Sequence, residues 1–223
     1  MEQQLTPALV LSDDEVVALA AAYGLAWHGP LRTVDVSQRD QMVAALERGL
    51  RTLRRRAPGG GVPTVPAVVD SPLVADLVRA ACNPPVVTAY VARLSAPDVL
   101  AGAALLVFPL LDDAYVVELV SGVGRHEISV ASRETVRDLL VTVARAELGR
   151  QPGPDGSDDD RVTVLAGGGA GGLAFVVRPG AFAPAQLDPA LLELGPELAA
   201  IDEAAVRALV PEGSVAPPGG HVV

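Results

Sequence analysis

Apolar and polar residues recur with helical spacing in the N-terminal third of the chain. The run Ser-Asp-Asp-Glu from Ser12 to Glu15 predicts a helix start, because the serine hydroxyl can accept from a first-turn amide while the glutamate reaches back to the serine amide. Apolar residues follow on one face as far as Gly24, a residue type that commonly ends helices. The same spacing predicts helices over residues 37–56 and 71–82.

The middle of the chain changes to short apolar runs that are typical of strands. We predict four of them, at residues 86–94, 103–110, 114–120 and 125–130. Their connections are too short for parallel crossovers, so the runs predict an antiparallel meander. A helix, two further strands and a last helical region should follow, at residues 132–148, 161–166, 173–178 and 188–210.

This order of elements predicts an α+β fold in which helices cover an antiparallel sheet. We expect a single domain over residues 1–210, followed by a poorly ordered, flexible tail at residues 211–223. Strands followed by a helix occur twice, so two quasi-related halves, residues 1–150 and 151–210, stay open as a finer description. The stretch 58–70, rich in proline and glycine, is expected to be a flexible excursion.

Composition indicates an apolar surplus and excludes several classes of lysine-dependent site. Half of the chain is hydrophobic, only 3% is aromatic, and the mean hydropathy is +0.36. Such a surplus indicates either a well-covered core or an apolar surface kept for a partner. All 17 basic residues are arginine. Without lysine there can be no Schiff base to pyridoxal phosphate, no Walker-type phosphate lysine and no kinase ion pair.

Charge, cysteine content and the distribution of apolar runs narrow the possible classes of partner and the expected location in the cell. A net charge of −10 argues against nucleic-acid binding, because neutralising phosphates needs a cationic face. One cysteine permits no internal disulfide and no thiolate-rich zinc site. Residues 1–10 lack signal-peptide features, and the longest uncharged apolar run, residues 99–111, is too short to span a bilayer as a helix. We therefore expect a cytoplasmic protein with no membrane insertion.

Two loop segments have compositions that occur in ligand-binding sites. Residues 167–172 fit G-x-G-x-x-G, whose glycines let the backbone approach a pyrophosphate at the start of a helix. Here the motif leads into another apolar strand, so we interpret it as a hairpin turn. The acidic residues 155–160 lack the ligand spacing and the distal glutamate of a calcium loop. We interpret them as a solvated loop.

Arginines cluster near the end of the second predicted helix: Arg48, Arg51, Arg54, Arg55 and Arg56. Such a cluster can bind an acidic partner or a phosphate. It can also complement the negative end of the helix and otherwise be solvated. We favour the second interpretation.

The histidines and the cysteine show no catalytic or metal-ligand pattern. His28, His126 and His221 are too far apart in the sequence to suggest a metal site. His126 alternates with apolar residues, which places it at a sheet margin, and Cys82 is typical of a small buried residue. We predict no catalytic residue, no metal site and no cofactor.

Several phrases in the first two thirds of the chain resemble one known family. They are Leu-Ser-Asp-Asp-Glu-Val-Val-Ala-Leu from Leu11, Tyr-Gly-Leu from Tyr23, Ala-Ala-Leu-Glu-Arg-Gly-Leu from Ala44, Pro-Leu-Val-Ala-Asp-Leu from Pro72, and Asn83-Pro84. They are similar to the EspG family, cytosolic chaperones of type VII (ESX) secretion in actinobacteria. The resemblance implies an α/β fold of two quasi-related halves that binds the helical tip of secretion substrates without a cofactor. It assigns no individual binding residue.

Three functions follow from these observations. We favour a non-enzymatic, chaperone-like protein that holds a helical secretion substrate of a type VII system. A self-assembling structural or accessory protein, which uses the apolar surplus for a homo-oligomeric interface, is the first alternative. A nucleotide-dependent enzyme that uses residues 167–172 is the second.

Overall fold

The structure is a computed structural model, and its described residues cover most of the predicted elements. They are residues 5, 7–27, 29–56, 72–82, 89–96, 99–111, 113–149, 162–167, 173–178 and 202–210. The predicted excursion at residues 58–70 and the predicted tail at residues 211–223 lie outside them.

Helices and strands within these residues follow the predicted order, with one added strand at the start. The strands are β1 (Leu9–Ser12), β2 (Ala89–Ala96), β3 (Val99–Leu111), β4 (Ala114–Val120), β5 (Arg125–Ser132), β6 (Val162–Gly167) and β7 (Leu173–Arg178). The helices are α1 (Asp13–Ala22), α2 (Arg39–Arg56), α3 (Pro72–Ala81), α4 (Arg133–Leu148) and α5 (Glu203–Ala208). Helix α5 belongs to the last predicted helical region, of which residues 188–201 lie outside the described part.

The strands form one antiparallel sheet, in the order β1-β5-β4-β3-β2-β6-β7. The α+β prediction is confirmed, and strands β2 to β5 form the expected meander. Strands β6 and β7, which come from the second proposed half, extend the same sheet beyond β2. Strand β1 was not predicted. It adds to the opposite edge, where Leu11 pairs with His126.

The start of α1 has the predicted local geometry. The Ser12 hydroxyl accepts from the Glu15 amide, and the Glu15 carboxylate accepts from the Ser12 amide, which completes a capping box. Leu11 and Val16 flank this cap and belong to one apolar cluster, the arrangement of a hydrophobic staple. The helix therefore begins within one residue of the predicted start.

Side chains alternate between the two faces of a strand, and residues on both faces of β4 are buried. Tyr115 and Val117 of β4 pack toward α4 and α5. The intervening residues Val116 and Val120 pack toward the layer formed by α1, α2 and α3. None of the described helices is long and apolar enough to cross a bilayer.

Candidate functional site

The acidic residues in the first turn of α1 bind three different parts of the chain. Asp14 accepts a two-pronged ion pair from Arg48 of α2, at 2.7 and 2.8 Å. Glu15, which is fully buried, lies 3.0 Å from Nε of Arg56 at the end of α2. Asp13 points into the protein. All three acids lie in the first turn, where they complement the positive end of the helix dipole, and each has a specific partner as well.

Asp13 is fully buried and is surrounded by donors. Its Oδ2 atom accepts from the amides of Arg32 and Thr33, at 2.8 and 2.6 Å, and from the Thr33 hydroxyl at 2.7 Å. Its Oδ1 atom lies 2.7 Å from Nε2 of His126 on β5. The carboxylate therefore connects the start of α1 to the α1–α2 connection and to the sheet.

His126 lies between two carboxylates. While Nε2 contacts Asp13, Nδ1 lies 2.6 Å from Oε1 of Glu118 on the neighbouring strand β4. Each ring nitrogen faces a carboxylate oxygen, which is the arrangement expected of an imidazolium that donates from both nitrogens. His126 is fully buried, so the prediction that it lies at a sheet margin is wrong. Strand β1 and helix α1 cover this end of β5 and make the position internal.

The two carboxylate oxygens of Glu118 differ in their hydrogen bonding. Oε1 accepts from His126 and also from Nε1 of Trp27, at 3.0 Å. Oε2 is buried and accepts no hydrogen bond from the residues that the structure describes. The Trp27 ring also meets the His126 ring edge-on, with 6.0 Å between centroids. We call Asp13, Glu118 and His126 the buried ionic cluster, and the partly exposed Trp27 lies beside it.

Ionisation of the cluster is governed by a balance between burial and hydrogen bonding. Burial disfavours the charged form of Asp13, but hydrogen bonds from His126, Thr33 and Arg32 outweigh it and lower the pKa of Asp13 to about 2. Burial likewise disfavours the imidazolium, but Asp13 and Glu118 outweigh it and raise the pKa of His126 above its ordinary value. The lowered pKa of Asp13 and the raised pKa of His126 both favour the charged forms, and therefore an ion pair between the two side chains.

Gly124, in the β4–β5 turn, allows the backbone to approach Asp13. Its carbonyl accepts from the Asp13 amide at 3.0 Å, and its φ is +71°, in the left-handed region. A Cβ at this position would lie 2.4 Å from Oδ2 of Asp13. Glycine is therefore required here by both the backbone angle and the space.

Cys82 follows α3 and is buried, as predicted. Burial, with a further contribution from the negative charge of Glu118, raises the pKa of its thiol to about 12. A thiol of this kind is neutral at physiological pH and is a poor nucleophile.

The ionisable groups of the buried ionic cluster are shielded from solvent. Neither nitrogen of His126 has a free lone pair for general-base work, and solvent does not reach the ring. The two carboxylates contact opposite nitrogens, so they could not share a metal bound to one of them. Among the described residues, no group of three or more His, Cys, Asp or Glu side chains is arranged to hold a metal ion. The arrangement is suited to joining elements of the fold.

Two of the five clustered arginines have a structural role. Arg48 binds Asp14, and Arg56 contacts Glu15 and donates to the Val10 carbonyl of the edge strand β1 at 2.7 Å. Arg51, Arg54 and Arg55 are exposed on the outer side of α2. The favoured interpretation, helix-end cations that are otherwise solvated, omitted the contacts to α1 and β1.

The glycine-rich motif lies between two paired strands. Gly167 of β6 is opposite Leu173 of β7 in an antiparallel ladder, which confirms the predicted hairpin. No helix follows the motif directly, so the helix N-terminus that binds pyrophosphate in dinucleotide sites is missing at this point. The remaining candidates, His28, His221 and residues 155–160, lie outside the described residues.

One sequence signal pointed to the cluster without identifying it. The alternation of His126 with apolar residues on a strand indicates that it shares a face with the core, but its acidic partners lie eight and 113 residues away. Asp13 and Glu118 each have a local explanation, as a first-turn acid and as a polar interruption of an apolar strand. Compared with known protein families, with curated proteins and with solved structures, the chain finds no match.

Proposed function

We propose that this protein is a non-catalytic, chaperone-like binding protein that holds a helical protein partner. The EspG resemblance suggests that the partner is a secretion substrate of a type VII system. The buried ionic cluster supports a binding role, because both ring nitrogens of His126 are engaged by carboxylates and these groups are buried, not presented to a substrate.

Exposed apolar side chains are the main support for a protein partner. Val36, in the turn before α2, is 68% exposed, and Val43 on α2 is 47% exposed. A second group, Leu119 and Val123, lies at the end of β4 and in the turn after it. An amphipathic helix that docks by burying an apolar stripe would cover such residues.

Reconstitution with a defined partner tests this proposal. The tagged protein is purified from its native host, a co-purifying helical protein is identified, and both are then produced separately and mixed. We expect a stoichiometric complex by light scattering and a partner that stays soluble only in the mixture. Recovery of the tagged protein alone, or a partner that remains soluble without it, would contradict the proposal.

A pair of matched variants then tests whether the exposed apolar residues bind. Val43→Glu should weaken the complex, because the new charge must be desolvated on docking. Val130 on β5 is 39% exposed and lies on a different element, so Val130→Glu is the control. Thermal unfolding of both variants verifies that neither change has disturbed the fold. Equal weakening by both would indicate that Val43 is not at the interface.

A further inference from the structure

The outer side of α2 has an unusual charge arrangement. The side that packs against the rest of the protein has Ala45, Gly49 and Leu53 fully buried at helical spacing, with Met42, Leu46 and Leu50 partly buried beside them. On the opposite side, Arg51, Arg54 and Arg55 are all exposed and are separated by three and four residues, so they project together. We call these three residues the basic face.

The basic face is not paired within the described part of the protein. Arg48 and Arg56, at its margins, each contact a carboxylate of α1. Arg51, Arg54 and Arg55 form no ion pair or hydrogen bond with any described residue. The chain has 27 acidic against 17 basic residues, so carboxylates outnumber cations, yet none in the described ranges is paired with this face.

Helix-end stabilisation accounts for only part of the arrangement. Cations interact favourably with the helix dipole within the last turn, which includes Arg54 and Arg55 but not Arg51. Glu47 lies four residues before Arg51, the favourable order for an ion pair within a helix. It forms no ion pair with Arg51 in the structure. As far as the described residues are concerned, all three guanidinium groups are therefore available to an external anion.

An apolar residue continues the same side of the helix. Val43, which is 47% exposed, precedes Arg54 by three helical turns and lies close to the same line along α2. The surface from Val43 to Arg54 spans about 17 Å at 1.5 Å per residue. Its two ends are apolar and cationic, with the exposed side chain of Glu47 between them. A complementary helix would need an apolar residue and carboxylates separated by the same distance.

We propose that Val43 and the basic face of α2 form the docking surface for an acidic amphipathic helix of a protein partner. This inference rests on the proposed function and specifies the surface and the chemistry of the partner. Carboxylates spaced by three and four residues on the partner have the same repeat as the arginines, and guanidinium groups bind carboxylates in a planar, two-pronged geometry. A nucleic acid fits less well, because the net charge of −10 repels an extended polyanion.

The test uses two fluorescein-labelled synthetic peptides with the same helical framework and the same apolar residues. One contains glutamates spaced by three and four residues, and the other contains glutamine at those positions. Fluorescence anisotropy measures their binding to three full-length proteins. These are the wild type, the variant Arg51→Gln/Arg54→Gln/Arg55→Gln, and the control Arg79→Gln/Arg125→Gln/Arg145→Gln, whose arginines lie on other elements and each pair with a carboxylate there. The two variants lose the same charge from exposed arginines.

We expect the acidic peptide to bind wild type and control with similar affinity, and the basic-face variant about tenfold more weakly, since each exposed ion pair contributes a fraction of a kcal/mol to about 1 kcal/mol. A charge-reversed variant, Arg51→Glu/Arg54→Glu/Arg55→Glu, should instead prefer a peptide with lysines at the same positions. Equal binding by the two triple-Gln variants, no preference for the acidic peptide, or no binding by wild type would overturn the proposal.

Other ligands of the α2 surface would give different results in these binding experiments. If heparin or inorganic phosphate binds at the same arginines and the acidic peptide does not, the surface is an anion site and the inference fails. If the basic-face variant changes the oligomeric state instead, the occupant is a second copy of the chain. A reconstituted native partner that binds the basic-face variant normally would overturn this inference and leave the proposed function standing, whereas the absence of any partner would contradict the proposed function itself.

Discussion

Nε2 of His126 lies 2.7 Å from Oδ1 of Asp13, although 113 residues separate them in the chain. The contact connects the first turn of α1 to β5. Because both side chains are fully buried, neither can be rehydrated locally if the other is removed. Breaking a pair of this kind by removing one partner typically costs about 3–5 kcal/mol. The contact should therefore be a main determinant of how α1 is attached to the sheet.

The two carboxylates that flank His126 should differ in their tolerance of amide substitution. Both oxygens of Asp13 accept hydrogen bonds, so the amide group of Asn would face a donor in either orientation. In Glu118 only Oε1 accepts, and Oε2 has no described partner. The amide group of Gln can therefore occupy the Oε2 position. We expect Asp13→Asn to cost roughly 3 kcal/mol or more and Glu118→Gln about 1 kcal/mol.

Urea unfolding followed by circular dichroism provides this comparison. Asp14→Asn is a useful control, because Asp14 is partly exposed and pairs with the exposed side chain of Arg48. Its loss should cost less than about 1 kcal/mol. An equal cost for Asp13→Asn and Glu118→Gln would mean that the unpartnered oxygen of Glu118 is engaged in solution.

Stability should fall at both ends of the pH range, for different reasons. The pKa of His126 is raised in the folded protein. Its contribution is therefore fully present below about pH 6.5, the ordinary histidine value, and is lost as the pH rises through the raised pKa. The pKa of Asp13 is lowered from 3.8 to about 2. Its contribution, about 2 kcal/mol, is present above the ordinary value and is lost as the pH falls through about 2.

A difference measurement isolates the alkaline effect. His126→Gln removes the titrating ring, and other groups that titrate are common to both proteins. We expect the stability advantage of wild type over His126→Gln to be largest in mildly acidic solution and to shrink at alkaline pH. Trp27 is the only tryptophan and donates to Glu118, so its fluorescence reports on the cluster directly. An advantage that grows with pH would show that the ring is neutral in the folded state.

Features that depend on neighbouring residues could be predicted from the sequence, and features that depend on distant ones could not. The cap at Ser12 and Glu15 involves residues three apart, and the structure has it as predicted. Strand β1 has four residues and exists because it pairs with β5, more than 110 residues later. The burial of His126 follows from that pairing. A residue on what would otherwise be the outermost strand of the sheet becomes internal once β1 is added beside it.

The same distinction applies to the arginine cluster. Helical spacing and the position near the end of α2 could be read from the sequence. Whether each arginine meets a carboxylate depends on how α1 and α2 are packed. Arg48 and Arg56 face α1 and are paired, while Arg54, only two residues from Arg56, faces outward.

Two glycines with nearly equal backbone angles should respond differently to alanine. Gly24 and Gly124 have φ of +68° and +71°. A Cβ on Gly24 meets nothing within 4 Å, whereas one on Gly124 lies 2.4 Å from Asp13. Gly24→Ala should therefore cost about 1 kcal/mol, from the left-handed backbone alone. Gly124→Ala should cost roughly 2 kcal/mol more, because it also displaces the Asp13 carboxylate.

Thermal or urea unfolding of the two alanine variants measures the difference, and Gly24→Ala is the control for the backbone angle. The variant Gly124→Ala should also shift the Trp27 fluorescence, because the displaced Asp13 releases His126 and thereby Glu118. Equal destabilisation without a fluorescence change would show that the β4–β5 turn moves aside and leaves the buried ionic cluster intact.

Cys82 should act as a reporter of unfolding. It is buried at 2% exposure, and its thiol has a pKa raised to about 12, so both access and thiolate formation limit alkylation in the folded protein. We expect iodoacetamide at mildly alkaline pH to label Cys82 only at urea concentrations that unfold the protein, with mass spectrometry as the readout. Because Cys82 is the only cysteine, the labelled fraction should follow the unfolding transition seen by circular dichroism. Rapid labelling without urea would show that α3 opens locally.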